Sequence, residues 1–235
     1  MTRRVARLTV DALGELPDHV RTDLFWELTP VERAALGHED AIAAKEAWVS
    51  RVLLEWGSCG RVLYVDDVPA GYVLYAPPGY FPGSAVLPTA PLDDDAVQLA
   101  TAEVFEPYAG AGLGRVLMQL MAKDVLSRGG VRAVECIGVR GRPATTGLLT
   151  GSTARPLLPV EFLQRVGFTT HRPHPVHPRM RMDLRSVVTW RAELELAVER
   201  LVAAVRPRAP RPAPAPRWGE RSGTGPHDAP PVHWA

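Results

Sequence analysis

Cysteine is nearly missing from this 235-residue chain: only Cys59 and Cys136 occur, which argues against a disulfide framework or a cysteine-rich zinc centre. Long apolar runs are missing too. No stretch approaches the ~20 residues that a membrane span needs, and the opening MTRRVARLTVDALGEL has no apolar core of a signal peptide. The expectation is a soluble, cytoplasmic protein with no membrane partner. An excess of one charge is also lacking: 27 Lys and Arg stand against 26 Asp and Glu, and no basic stripe with interleaved aromatics appears. Nothing therefore calls for a nucleic-acid partner. What is present is length, enough for a domain of about 180 residues with a real core, plus an appendage.

The chain is organised around residues 97–129. Residues 97–104 alternate well enough for a strand, and Leu113, Leu117, Leu120, Met121 and Val125 then fall at helical spacing, with Arg115, Gln119 and Lys123 on the wet face. Between strand and helix sits Tyr108-Ala109-Gly110-Ala111-Gly112-Leu113-Gly114-Arg115. Alternate glycines allow positive φ and remove side chains that would hold a ligand away, so several amides can converge on one anion. The unpaired first-turn donors of the following helix add to them, which makes a pyrophosphate cradle.

Two familiar nucleotide motifs fit this stretch poorly. A P-loop needs Gly-Lys-Ser/Thr, but Gly114 is followed by Arg115-Val116. A GxGxxG fingerprint started at Gly110 or Gly112 ends on Arg115 or Leu117, although Glu135 lies at a tolerable distance for its ribose-binding acid. A tight turn that uses glycine for geometry alone is the bland alternative.

The flanks supply order. Residues 3–10 read as a strand, with Asp11 able to cap the helical region after it. That region, over 16–28, precedes Thr29-Pro30-Val31-Glu32, a capping box with proline at the first helical position, and a further helix is expected over 39–56, ending near Gly57. Trp26, Trp48 and Trp56 are expected in the core or in a lid. Residues 61–66 and 70–76 form two strands about a tight connection, and the Pro/Gly-rich run over 77–91 reads as a substrate-side loop carrying Tyr80 and Phe81. Asp93-Asp94-Asp95 is either an acidic mouth for a cationic amine or a solvated run.

Beyond the cradle helix, residues 131–139 form a strand parallel to the central one, 140–159 a loop, and 160–167 a short helix closed by Gly167 with a strand from Phe168. His171, His174 and His177 would share one face of a polyproline-type segment, yet no acid or cysteine is near in sequence, so no metal is expected. An amphipathic helix is expected over 186–206, as a brace or a subunit contact, so the chain is a monomer or a homodimer. Residues 207–235, rich in Pro and Arg, are expected to form a mobile tail.

Val104, Tyr108, Gly110, Gly112-Leu113-Gly114-Arg115 and Leu117 resemble the acetyl-CoA-binding motif of the GNAT superfamily of N-acetyltransferases, Gln/Arg-x-x-Gly-x-Gly/Ala, with Ala109 at the Gln/Arg position. Phe162-Leu163-x-x-x-Gly167-Phe168 resembles the family's later Phe-Tyr-x-x-x-Gly-Phe, with Leu163 where the usual proton-donating tyrosine stands. Over residues 1–185 the resemblance implies an α/β fold, a GNAT-type mixed sheet whose central strand pair splays open, with flanking helices. It implies direct acetyl transfer from acetyl-CoA, a co-substrate, to a small-molecule or peptide amine. The main chain of Val104, Phe105 and Glu106 would polarise the acetyl carbonyl, and the segment from Ala109 and Gly110 through Ala111, Gly112, Leu113 and Gly114 to Arg115 would hold the pyrophosphate.

An alkylamine with a pKa near ~10 is protonated at neutral pH, so a base is required. Glu103 is the candidate. With Leu163 unable to donate, the thiolate's proton falls to Tyr108, Tyr80 or water. The competing function is a catalytically degenerate GNAT-fold module that binds CoA or regulates a partner, for which Ala109 and Leu163 speak. A dinucleotide-dependent oxidoreductase would need the glycine turn after its first strand, whereas at least three strands precede it here.

Overall fold

The computed structural model describes residues 2–106, 108–141 and 157–184. The expected helix over 186–206, the tail over 207–235 and most of the loop after Arg140 lie outside them.

Among the described residues, eight strands and six α-helices run in the order β1 (Arg3–Arg7), α1 (Val10–Gly14), α2 (Asp18–Thr22), α3 (Pro30–Ala34), α4 (His38–Glu55), β2 (Gly60–Val65), β3 (Val68–Ala76), β4 (Ala96–Val104), α5 (Leu113–Arg128), β5 (Ala133–Val139), β6 (Leu158–Pro159), α6 (Val160–Arg165), β7 (Thr169–Arg172) and β8 (Arg179–Asp183). The sheet order is β1-β2-β3-β4-β5-β8-β7, with the short β6 added to β5. Among the described residues only β4–β5 and β5–β6 are parallel. One face carries α1, α2 and α4 over a core that includes Val20, Trp26, Trp48, Tyr72 and Phe81, with the shallow α3 outside it. The other carries α5 and α6 over Leu99, Leu117, Met121, Leu163 and Phe168.

Local chemistry sets most boundaries. The β2–β3 turn places Asp66 and Asp67 at φ 49° and 62°, the left-handed pair that a two-residue hairpin matching strand twist requires. Thr29 and Glu32 close a reciprocal capping box ahead of Pro30. Thr9, not Asp11, caps α1 by accepting from the Ala12 amide. The helical stretch expected over 16–28 is instead the five-residue α2 and a turn. Pro17 starts α2, and the Asp23 carboxylate accepts from the Phe25 amide, offering the backbone an alternative to the helix. The run over 77–91 contains two tight 3-10 turns, Pro78–Tyr80 and Pro82–Val86. It is docked, not free: a Cβ on Gly83 would stand 1.9 Å from the Phe25 carbonyl oxygen.

At the start of β4 an ionic cluster ties three strands. Arg181 of β8 donates to Asp95 at 3.0 Å and to Glu135 of β5 at 2.9 Å, and Arg179 lies 3.1 Å from Asp93. His171 meets Asp93 at 3.0 Å, whereas His174 and His177 stack on each other, so the three imidazoles do not converge. Asp93, Glu135 and His171 do approach one another, but the two guanidiniums already neutralise the acids. The acidic run is therefore a strand clamp, and Glu135, fully buried in it, is not a ribose ligand. Burial works against the Asp93 charge, but Arg179, His171 and Arg181 outweigh it and lower its pKa; the Arg181 hydrogen bond lowers that of Asp95. Carboxyls depressed in the fold stabilise it above their unfolded pKa of about 3.9 and lose that contribution as pH falls through the lower folded values. Arg181→Met should therefore lower Tm at pH 7 and flatten its fall in acid; a parallel acid limb in both proteins would count against the clamp.

Candidate active site

β4 and β5 pair over three residues only, Ala96–Ala133, Val97–Val134 and Gln98–Glu135. Beyond Gln98 they part. β4 continues to Val104 along β3, while β5 takes Leu158 and Pro159 of β6 beside Gly138 and Val139. A wedge therefore opens along the edge of residues 99–104. Phe105 donates its amide to Ala70 of β3 at 2.9 Å, and successive residues of an extended chain present their main chain to opposite edges. The Val104 N–H is thus the one turned to the wedge, not that of Phe105. Glu106 comes next, in an exposed turn.

The glycine segment lies at the mouth of this wedge. Gly110 and Gly112 take φ 82° and 77°, and Gly112 is the left-handed N-cap of α5 with no side chain bonded to it. Tyr108 O accepts from Ala111 and Gly112 O accepts from Arg115, so those two amides are spent locally. Among the described residues no carbonyl takes the amides of Gly110, Gly112 and the first-turn residues Leu113 and Gly114, which are the donors left for an anion. Ala109, Gly110 and Gly112 are exposed, so the cradle faces outward. Gly114 has a different role. A Cβ there would meet Phe162 of α6 at 3.0 Å, so its bareness lets α5 pack on α6. Arg115 adds a tether, its guanidinium donating to Arg165 O at 3.3 Å.

Glu103 sits beside this mouth, and a bulge decides where it points. Leu74 is opposite Thr101 while Tyr75 is opposite Leu99, so Ala100 is an extra residue in β4 and the alternation reverses there. Val97 and Leu99 pack toward α5, but after the bulge it is Ala102 and Val104 that do so. Glu103 turns instead to the α1–α4 side, where His19 Nε2 of α2 meets its two carboxylate oxygens at 2.9 and 3.1 Å. Phe105 joins them, 8% exposed, its ring stacked on Tyr72 and edge-on to His19. His19 carries no mark in the sequence that would have singled it out. Its contact spans 84 residues.

Other sequence candidates scatter. Tyr108 packs with Val104 and Ala111 on the α5 side, the opposite face from Glu103. Phe81 is wholly buried against Trp48, with ring centroids 5.2 Å apart, so it props the wall and does not line a surface. Tyr80 stays partly exposed, but its hydroxyl donates to Glu55 at 2.8 Å, and that bond raises its pKa. Leu163 is fully buried; a Cβ on Gly138 of β5 would meet it at 3.0 Å. It fills core space at the position of the missing tyrosine.

No protein-family model and no curated protein matches the sequence. Solved structures do. An aminoglycoside acetyltransferase, AAC(6')-Ib, in complex with coenzyme A aligns over 81% of this chain and 99% of its own at 14% identity, with a TM-score of 0.50. The loading GNATL domain of CurA from Lyngbya majuscula aligns over 79% and 100% at 14% identity and a TM-score of 0.49. The PaiA N-acetyltransferase from Thermoplasma acidophilum, with coenzyme A, aligns over 78% and 99% at 12% identity and a TM-score of 0.47. Such identities speak to architecture alone. With its mixed sheet forked after the third residue pair of β4 and β5 and a glycine-capped helix at the fork's mouth, this chain has the GNAT acetyltransferase fold.

Proposed function

We propose that the protein is an N-acetyltransferase that moves an acetyl group from acetyl-CoA directly to an amine. The observation that carries this reading is the wedge between β4 and β5 opening beside the free donors of residues 110–114. The diphosphate would lie on those donors and on the positive end of α5, and the pantetheine arm would enter the wedge as an extra strand along residues 99–104. The Val104 amide would polarise the acetyl carbonyl.

Glu103 takes a proton from the acceptor ammonium. The freed nitrogen lone pair then forms the C–N bond, the C–S bond breaks with its electron pair on sulfur, and the CoA thiolate takes a proton from an acid of the site; the second proton shed by the nitrogen, cationic after attack, restores that acid. Leu163 has no proton to give and the Tyr80 hydroxyl is engaged by Glu55, so Tyr108 beside the cradle is the proposed donor.

A catalytically silent CoA-binding module is the second reading, favoured by the apolar Leu163. Calorimetry with acetyl-CoA, followed by thiol release across an amine panel, separates the two. Binding and release together establish the enzyme, binding alone the module, and neither removes both. Gly110→Asp read against Gly110→Ala is a specific control: a Cβ there meets nothing within 4 Å, and both variants carry the strain of a side chain at φ 82° while only one adds charge. The charged variant places a carboxylate against the diphosphate and should weaken CoA binding about tenfold through like-charge repulsion. Unchanged affinity would move the diphosphate elsewhere.

A further inference from the structure

Among the described residues, His19 is the side chain in polar contact with the Glu103 carboxylate, and the geometry of that contact is particular. One ring nitrogen, Nε2, reaches both oxygens, at 2.9 and 3.1 Å, so rotation of the carboxylate about its last bond is restrained from a single point. The imidazole is itself held. Phe105 stands edge-on to it at 6.1 Å, and the main-chain oxygen of His19 accepts from the Asp23 amide at 3.1 Å. Asp23 in turn offers its carbonyl to the buried Lys45 at 2.7 Å. Both partners of the pair are 37% exposed, where an ion pair contributes only about 0–1 kcal/mol to stability. A contact so weakly stabilising, on a residue of β4 beside the wedge mouth, is better explained by orientation than by fold.

We propose that His19 is the positioning residue of Glu103. Donating from Nε2, it fixes the carboxylate on the acceptor side of β4 and leaves the outer lone pairs of both oxygens for the incoming ammonium. This rests on Glu103 acting as the base. His19 takes no proton from the acceptor itself: the proton passes from the ammonium to a Glu103 oxygen, while the imidazole keeps its own. A glutamine side chain carries an N–H of similar reach and should substitute in part; an alanine should not.

The test is a double-mutant cycle in the full chain, read by thiol release from acetyl-CoA with spermidine, tyramine and a free tripeptide as probe amines. His19→Ala should lower kcat about tenfold, a scale set by small misplacements of reacting groups, with KM for acetyl-CoA unchanged. His19→Gln should recover most of that loss. In the Glu103→Gln background His19→Ala should do nothing more, since its whole effect runs through the carboxylate. Tm should stay within about 2 °C throughout, as befits an exposed pair. If Glu103→Gln lowers kcat but His19→Ala does not, or if the two losses simply add, His19 is not the positioning residue. If Glu103→Gln leaves kcat intact, or no probe amine yields thiol, the base assignment itself fails and the inference falls with it.

Discussion

Glu103→Gln should lower kcat about 100-fold while leaving KM for acetyl-CoA within about twofold, because it removes a proton acceptor without touching the CoA cradle. The separation is spatial. Donors for the diphosphate lie in residues 110–114, whereas the Glu103 side chain points to the α1–α4 face beside His19. A ground-state amine is mostly cationic at neutral pH, so without the carboxylate only its small free-base fraction reacts. That fraction grows with pH. The deficit of the variant should therefore shrink as pH approaches the ~10 of an alkylamine, where the wild type no longer needs the base. Steady-state rates between about pH 7 and 10 measure it. A loss that stays constant across that range would mean that Glu103 serves binding or geometry instead, and an equal kcat at neutral pH would leave Glu103 no part in proton removal.

The same residue shows what a sequence can and cannot disclose. The glycine cradle is legible because its causes are local: two positive-φ positions, a helix start and the strand before it lie close together in the chain. The Asp66-Asp67 hairpin and the Thr29 box are legible for the same reason, although the exact cap of α1 is not. Glu103 can be named from the sequence but not aimed. Strict alternation from Val97 and Leu99 would put it on the α5 face, and only the extra residue Ala100 sends it to the other side. His19 is invisible there because its meaning comes from a partner 84 positions away. Phe81 misleads for a related reason. A Pro/Gly-rich neighbourhood suggests an exposed loop, but nothing in it reports that Trp48 of α4 will cover the ring. The acidic run before β4 looks like a solvated stretch or a cation trap until Arg179 and Arg181 arrive from the far end of the described chain.

Lys45→Ala should cost about 3–5 kcal/mol, the loss expected when one partner of a buried ion pair is removed. Lys45 and Glu27 are only 3% and 2% exposed. The ammonium bonds the Glu27 carboxylate and the Asp23 carbonyl, and among the described residues no further side chain bonds the second Glu27 oxygen. Burial already raises the Glu27 pKa, with Lys45 drawing it only part of the way back. Removing the lysine raises it further. A carboxyl raised in the fold costs nothing below its unfolded value of about 4.3, and its penalty grows as pH rises from there to the folded value. The Lys45→Ala deficit in urea melts should thus be largest near neutrality and narrow toward about pH 4–5. Glu27→Leu with Lys45→Met should recover most of it, since a well-packed apolar pair replaces buried ions at little or no loss. A deficit under about 1 kcal/mol at every pH would show that water reaches the pair and that it is not buried in solution. The pair matters beyond stability because Asp23 ends α2, and its carbonyl is what Lys45 holds. A fold that stakes a buried ion pair on the end of a five-residue helix is fixing that helix in place, and His19, one turn earlier, is the side chain that gains from it. Loss of Lys45 should accordingly reach kcat as well as Tm, whereas the apolar double variant, which refills the space without gripping the Asp23 carbonyl, should restore Tm and leave part of the kcat loss behind.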